Sequence, residues 1–207
     1  TTDQEVVLAA HLFEGVAKQG AMDNASGSAL ILEVARAWKK AVDEGVVPRP
    51  RRTVRFLWVP EISGTIAYLR RYPQVRYLFG AVSISAALPL PAREQLVAYY
   101  ERYYGCADRV VASLRPFRYF AAPPCFGELD ADTAFDVLKA NLAAHGATVP
   151  VLYKQYTELC EPGGARFLAF GVDPAFSDSI DGLIEVDLQR VLQKKRQRYL
   201  QPRGAEA

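Results

Sequence analysis

Glu5-Val6-Val7-Leu8-Ala9-Ala10 and Thr53-Val54-Arg55-Phe56-Leu57-Trp58-Val59, with one amphipathic stretch between them, decide the reading of the fold. The first is a short apolar run with two adjacent valines, the pattern of a strand buried on both faces. It ends at His11 and enters a polar, glycine-containing loop. From Ser28 the pattern turns helical: Ile31, Val34, Ala35, Trp38 and Val42 share one face, and Glu33, Arg36, Lys39 and Lys40 share the other. Gly45 and Pro48-Arg49-Pro50 end that helix, and Pro60 stops the second strand. Residues 62–71 suit a second helix and residues 77–84 a third strand. Strand, helix, strand, helix, strand predicts a parallel sheet with crossover helices.

Further along, residues 92–104 read as a helix carrying the pairs Tyr99-Tyr100 and Tyr103-Tyr104. Two readings of those tyrosines stand: an exposed aromatic patch marking a partner surface, or a helix face half-buried against the core. Residues 116–127 read as irregular, and residues 130–145 as an amphipathic helix opened by Asp130. Residues 149–154 and 166–170 are candidate strands, and residues 186–199 a closing basic helix. Its run Lys194-Lys195-Arg196-Gln197-Arg198 reads as a solvated helix end. With no internal repeat and no linker, residues 1–207 are expected to form a single domain.

The composition narrows the function classes. Half of the 207 residues are apolar and 23% are charged, which suits a soluble globular fold. Lys and Arg total 25 against 23 acidic residues, so a net charge of +2 predicts neither nucleic acid nor a membrane surface as partner. No run approaches the roughly 18 apolar residues of a membrane span. Three cysteines, at 106, 125 and 160, without CxxC spacing argue against a disulfide scaffold and a thiolate metal cluster. A cytoplasmic location follows as the expectation. The polar start lacks the features of a signal peptide. The chain reaches an apolar strand within five residues, the start expected of a domain that was once longer.

Only His11 and His145 supply imidazoles, so any metal chemistry must lean on carboxylates. In an open parallel sheet, ligands collect beyond the carboxyl ends of the strands. His11 follows the first strand, Asp23 lies in the next loop, and Glu61 follows the second strand. One imidazole and two carboxylates make a ligand set for a divalent ion such as zinc. The structural alternatives are a loop histidine, an Asp23 that caps the helix beginning near Ser26, and a Glu61 placed for the helix dipole. His145, before Gly146, suits a helix C-terminus. Nothing places a base beside Ser26, Ser63 or the cysteines, so nucleophilic catalysis is not expected.

Ala-His-Leu-Phe-Glu-Gly at 10–15, Gly-Ala-Met-Asp-Asn-Ala-Ser-Gly at 20–27 and Arg-Arg-Thr-Val-Arg-Phe-Leu-Trp-Val-Pro-Glu-Ile-Ser-Gly-Thr at 51–65 occur here in order. Together they resemble the zinc-dependent aminopeptidases of the bacterial leucyl aminopeptidase and aminopeptidase Y type, in the branch with an HLFEG-like start. The resemblance covers residues 5–70. Ser177-Asp178-Ser179-Ile180-Asp181 followed by Val186-Asp187-Leu188 is similar to the family's closing segment. The resemblance implies a three-layer α/β/α sandwich with a mainly parallel central sheet. It implies hydrolysis of an N-terminal residue from a peptide by metal-activated water.

Carried over by motif, His11 matches the family's first ligand, Asp23 the bridging carboxylate and Glu61 one acid of a Glu-Glu pair. The sequence departs from the pattern at Phe13, where the family has Asp, with Glu14 a partial substitute. Pro60 replaces the first acid of the pair, and Ser83-Ile84-Ser85-Ala86 stands where another Asp is expected. Pro174-Ala175-Phe176 stands where a late His is expected. The implied metal site is His11, Asp23 and Glu61 holding one zinc at most, with Glu61 or Glu14 as catalytic carboxylate. The expected partner is a peptide or an amino-acid-derived small molecule. The competing expectation is an inactive peptidase-like binding module. A second copy or a partner chain supplying the missing ligands is a third.

Overall fold

The computed structural model describes residues 4–13, 24–108 and 110–201, excluding the side chains of Phe13 and Ile62. They belong to two compact units, one within Thr1–Pro73 and the other Gln74–Gln201. None of the described helices is long and apolar enough to cross a membrane.

The first unit is a strand–helix–strand–helix unit. β1 (Glu5–Phe13) and β2 (Thr53–Pro60) pair in parallel, joined by α1 (Ser26–Asp43) and followed by α2 (Glu61–Arg71). Both helices lie against both strands. Ala10, Ile31 and Leu69 are buried, whereas Val6 and Ala9 are exposed, so β1 is not covered on both faces as its composition predicts. Glu5 opens β1, and Arg55 ion-pairs with it at 2.9 Å while the Tyr68 hydroxyl of α2 donates to it at 3.1 Å.

In the second unit, β3 (Tyr77–Ile84), β4 (Ala165–Asp173) and β5 (Ser179–Asp187) form an antiparallel sheet in the order β3-β5-β4. One face packs on α3 (Leu90–Tyr104) and α5 (Val151–Thr157), and α4 (Ala131–Ala144) packs on α3. Leu96, Val97 and Tyr100 of α3 are buried, with Leu138 and Leu142 of α4 and Tyr153 of α5. The Tyr153 hydroxyl donates to the Val82 carbonyl at 2.9 Å. Its ring stacks on Phe167 at 5.2 Å, and Phe167 stacks on Phe170 at 5.0 Å.

A β-bulge between Phe167 and Ala169 puts both phenylalanines on the inner face, although an unbroken strand would send residues three apart to opposite faces. Gly182 of β5 makes room for them, because a Cβ there would stand 2.8 Å from both rings. α6 (Gln193–Tyr199) ends the described chain.

These elements correct several expectations. The mixed α/β class holds, but among the described residues the only parallel strand pair is β1 with β2, with one isolated parallel bridge between Gly105 and Phe167. β3 does not extend that ladder; it runs antiparallel to β5. The mainly parallel central sheet of a three-layer sandwich is therefore not found in the described residues. Parallel sheets are covered on both faces, whereas β3 buries Val82 and Ile84 and exposes Phe79, Ala81 and Ser83, a one-sided pattern that suits an antiparallel sheet.

Residues 149–154, read as a strand, include the start of α5. Pro150 is its N-cap, and a short apolar run does not by itself separate a strand from a buried helical turn. The closing helix is shorter than expected, because Val186 and Asp187 belong to β5. The alternation Ile180, Gly182, Ile184, Val186 marks that strand, with a glycine hiding one apolar position. Asp130 caps α4 as expected, accepting from the Thr133 amide at 2.9 Å. Tyr99 and Tyr100 are buried, which decides for the core-packing reading of the tyrosine pairs.

Gly182→Ala should lower stability by about 1–3 kcal/mol through overpacking against the stacked rings, read as a lower urea midpoint at unchanged slope. Burial alone would push the Asp187 carboxyl up. Arg76, with Nη2 3.1 Å away, and the Gln189 amide outweigh it and hold that carboxyl below its ordinary value. The folded state thus binds this proton more weakly than the unfolded chain. The resulting stabilisation is present above the unfolded value of about 4 and is lost as pH falls through the folded value. Asp187→Asn should cost about 1–2 kcal/mol at pH 7. Urea midpoints of the variant and the parent should converge as the pH is lowered past 4 toward 3.

Candidate metal centre

His11 and Glu61 come to the same end of the parallel pair. His11 is the last regularly paired residue of β1, opposite Val59. The register then shifts, and Phe13 pairs with Pro60, the residue before Glu61. His11 is half-buried and Glu61 is exposed as the first residue of α2. Parallel strands carry both residues to their carboxyl ends, which is why residues fifty apart in sequence meet on one edge of the unit.

Three local features hold that edge. The Ser28 hydroxyl of α1 donates to the His11 carbonyl at 3.1 Å, and the Trp58 indole of β2 donates to the Ser28 carbonyl at 3.3 Å. Ser28 is only 7% exposed, so its hydrogen bonds are protected from solvent competition. At the start of α1, the Asn24 side chain accepts from the Gly27 amide at 3.1 Å. At the start of α2, Gly64 lets the first turn fold back against the strand. A Cβ at Gly64 would stand 2.5 Å from the Val59 Cβ and 2.9 Å from the Pro60 Cδ. The Thr65 hydroxyl donates to the Glu61 carbonyl at 3.0 Å, completing that turn. The pattern Pro-Glu-Ile-Ser-Gly-Thr thereby places Glu61 where the strand ends.

Asp23 and Glu14, the other two candidates, lie outside the described residues. Among the described residues no group of three His, Cys, Asp or Glu side chains comes together as a metal site. His145 is the exposed C-cap of α4 in the second unit. The donor types at the edge, one imidazole and one carboxylate, suit zinc, and in sequence Asp23 immediately precedes Asn24. The fit therefore requires Asp23 to supply the third donor.

The cysteines offer no competing centre. Cys106, Cys125 and Cys160 are free thiols, and burial pushes the Cys160 thiol up to about 11, away from the reactive thiolate form.

The positioning residues Asn24, Ser28 and Gly64 were not singled out by sequence reading. Their signal was available: small and amide residues at the two points where a strand turns into a helix. Ser28→Ala should take a donor from the part-buried His11 carbonyl and loosen the turn around it, costing about 1–2 kcal/mol. A thermal or urea melt of the variant beside the parent checks it.

The profile of Peptidase family M28 matches residues 1–61, a stretch that ends at Glu61. No curated protein and no solved structure matches the chain significantly. The match supports a metallopeptidase-like reading for less than a third of the chain, the part that builds the edge carrying His11 and Glu61.

Proposed function

We propose that the first unit carries a degenerate metallopeptidase site of the aminopeptidase type, in which His11, Asp23 and Glu61 hold a single zinc ion. The observation that supports this reading is the arrival of His11 and Glu61 at one edge of the parallel pair, within the stretch that matches Peptidase family M28. Zinc bound there would supply a water of lowered pKa and would polarise a scissile carbonyl.

The chain's own residues then divide the work. The His11 imidazole and the Asp23 carboxylate serve as ligands. A carboxylate must also accept a proton from the attacking water and return it to the departing amine. Glu61 cannot be ligand and base at once, so if it is a ligand the proton falls to Glu14. The substrate class is a peptide, or a small molecule derived from an amino acid, cleaved after its N-terminal residue. A second copy of this chain, or another chain, would be the source of any further ligands.

The second reading is a catalytically inactive peptidase-like module that binds a partner. Phe13 favours it, because an aromatic side chain that cannot bind a metal stands where the resemblance calls for Asp.

Elemental analysis of the purified, unstripped protein separates the two. The metallopeptidase reading expects about one equivalent of zinc, with His11→Ala and Asp23→Ala each losing most of it while retaining the parent's fold. Added zinc should also raise the parent's melting temperature and not that of the variants. Protein that carries no metal and takes up none when zinc is added would exclude hydrolysis and leave the binding module.

A further inference from the structure

The outer face of the antiparallel sheet carries a small cleft of about 250 Å³ in the second unit, lined by Ala81, Leu183, Ala169, Gly171 and Asp181. The strand register lays these residues out in two rows. Ser83, Asp181 and Gly171 form one row across β3, β5 and β4, and Ala81, Leu183 and Ala169 form the next. Small residues on both flanking strands leave a depression beside Leu183. The segment 111–113 makes its wall, with Val111, Ala112 and Ser113 lining it. The chain just after that wall is tied to β4: the Val172 amide donates to the Arg115 carbonyl at 2.9 Å, and the Phe117 amide donates to the Phe170 carbonyl at 3.1 Å.

The charges along β5 set Asp181 apart. Glu185 has Arg166 at 2.6 Å, and Asp187 has Arg76 at 3.1 Å. Asp181 accepts the Ser83 hydroxyl at 2.6 Å through Oδ1, and no described Lys or Arg pairs with it or lines the cleft. A carboxylate beside apolar walls is stabilised when a cation takes the place of the water it loses. The walls decide which cation. A metal ion would need several oxygen donors, and the cleft offers one carboxylate and the Ser113 hydroxyl among Ala, Val, Leu and Gly.

We propose that this cleft binds an organic primary ammonium ion bearing a short apolar chain, with the ammonium on Asp181 and the chain against Leu183, Val111 and Val172. Asp181 Oδ2, outside the Ser83 hydrogen bond, accepts one ammonium hydrogen, and the lining Ser113 Oγ, which takes the Arg115 amide at 3.1 Å on one lone pair, has its other for a second. The cleft volume limits the chain to a few carbons. The site lies wholly in the second unit and does not rest on the metallopeptidase reading.

The test is calorimetric titration of the full chain with n-butylammonium chloride, n-butanol as the neutral isostere, and calcium chloride. Saturable binding of butylammonium is expected, with butanol and the Asp181→Asn variant each weaker by about tenfold or more. Asp136→Asn, on the exposed face of α4, should bind as the parent does. Circular dichroism confirms that Asp181→Asn folds. If it does not, Ala112→Trp, which fills the cleft from its exposed wall, should abolish binding instead. Equal binding of butanol, undiminished binding by folded Asp181→Asn or by Ala112→Trp, displacement by calcium, or no saturation at all would each overturn the proposal.

Discussion

The hydrogen bond from the Ser28 hydroxyl to the His11 carbonyl is the contact on which the candidate metal edge depends. A backbone carbonyl shielded from water where a strand gives way to a helix is costly unless something donates to it. Ser28 does so from the first turn of α1. Its own carbonyl receives the Trp58 indole, so one buried serine links the end of β1, the start of α1 and the end of β2. Gly64 does the corresponding work at the second strand by letting α2 begin against Val59 and Pro60. The positions of His11 and Glu61 follow from backbone satisfaction and close packing at two strand ends, before any metal is considered.

The second unit answers a different constraint. Its sheet has one buried face, and the rings of Phe167 and Phe170 must both fit there although they are three residues apart. A bulge in β4 resolves the parity, and Gly182 opposite supplies the space. The same register arranges the outer face. Glu185 is matched to Arg166 across the strands, while Asp181 is left beside small residues. Inner-face packing and outer-face chemistry are thus two consequences of one strand alignment.

How much of this was legible depends on how local each cause is. The β1–α1–β2–α2 order was readable because a two-valine strand, a helical apolar stripe and proline stops each act within a few residues. The caps were readable for the same reason, Asp130 most plainly. The third strand was found, but its partner was not, since pairing joins Tyr77–Ile84 to a segment about a hundred residues later. β5 itself was missed because Gly182 interrupts its apolar alternation, and the function of that glycine appears only once the Phe167 and Phe170 rings are placed against it. The candidate site was half legible. Residue types and motif order pointed to His11 and Glu61, yet the residues that hold them, Asn24, Ser28 and Gly64, carry no chemistry of their own to draw attention.

The sequence by itself determined the β1–α1–β2–α2 order, the parallel first pair, the scarcity of imidazoles and the carboxylate character of any metal site. Each of these is a property of composition or of short-range periodicity. Tertiary structure alone decided that β3 turns to an antiparallel partner, that Tyr99 and Tyr100 are core, and that Asp181 stands without a described cation beside an apolar cleft. Those outcomes depend on which distant residues become neighbours. That is set by the burial of whole faces, which a reading residue by residue does not contain.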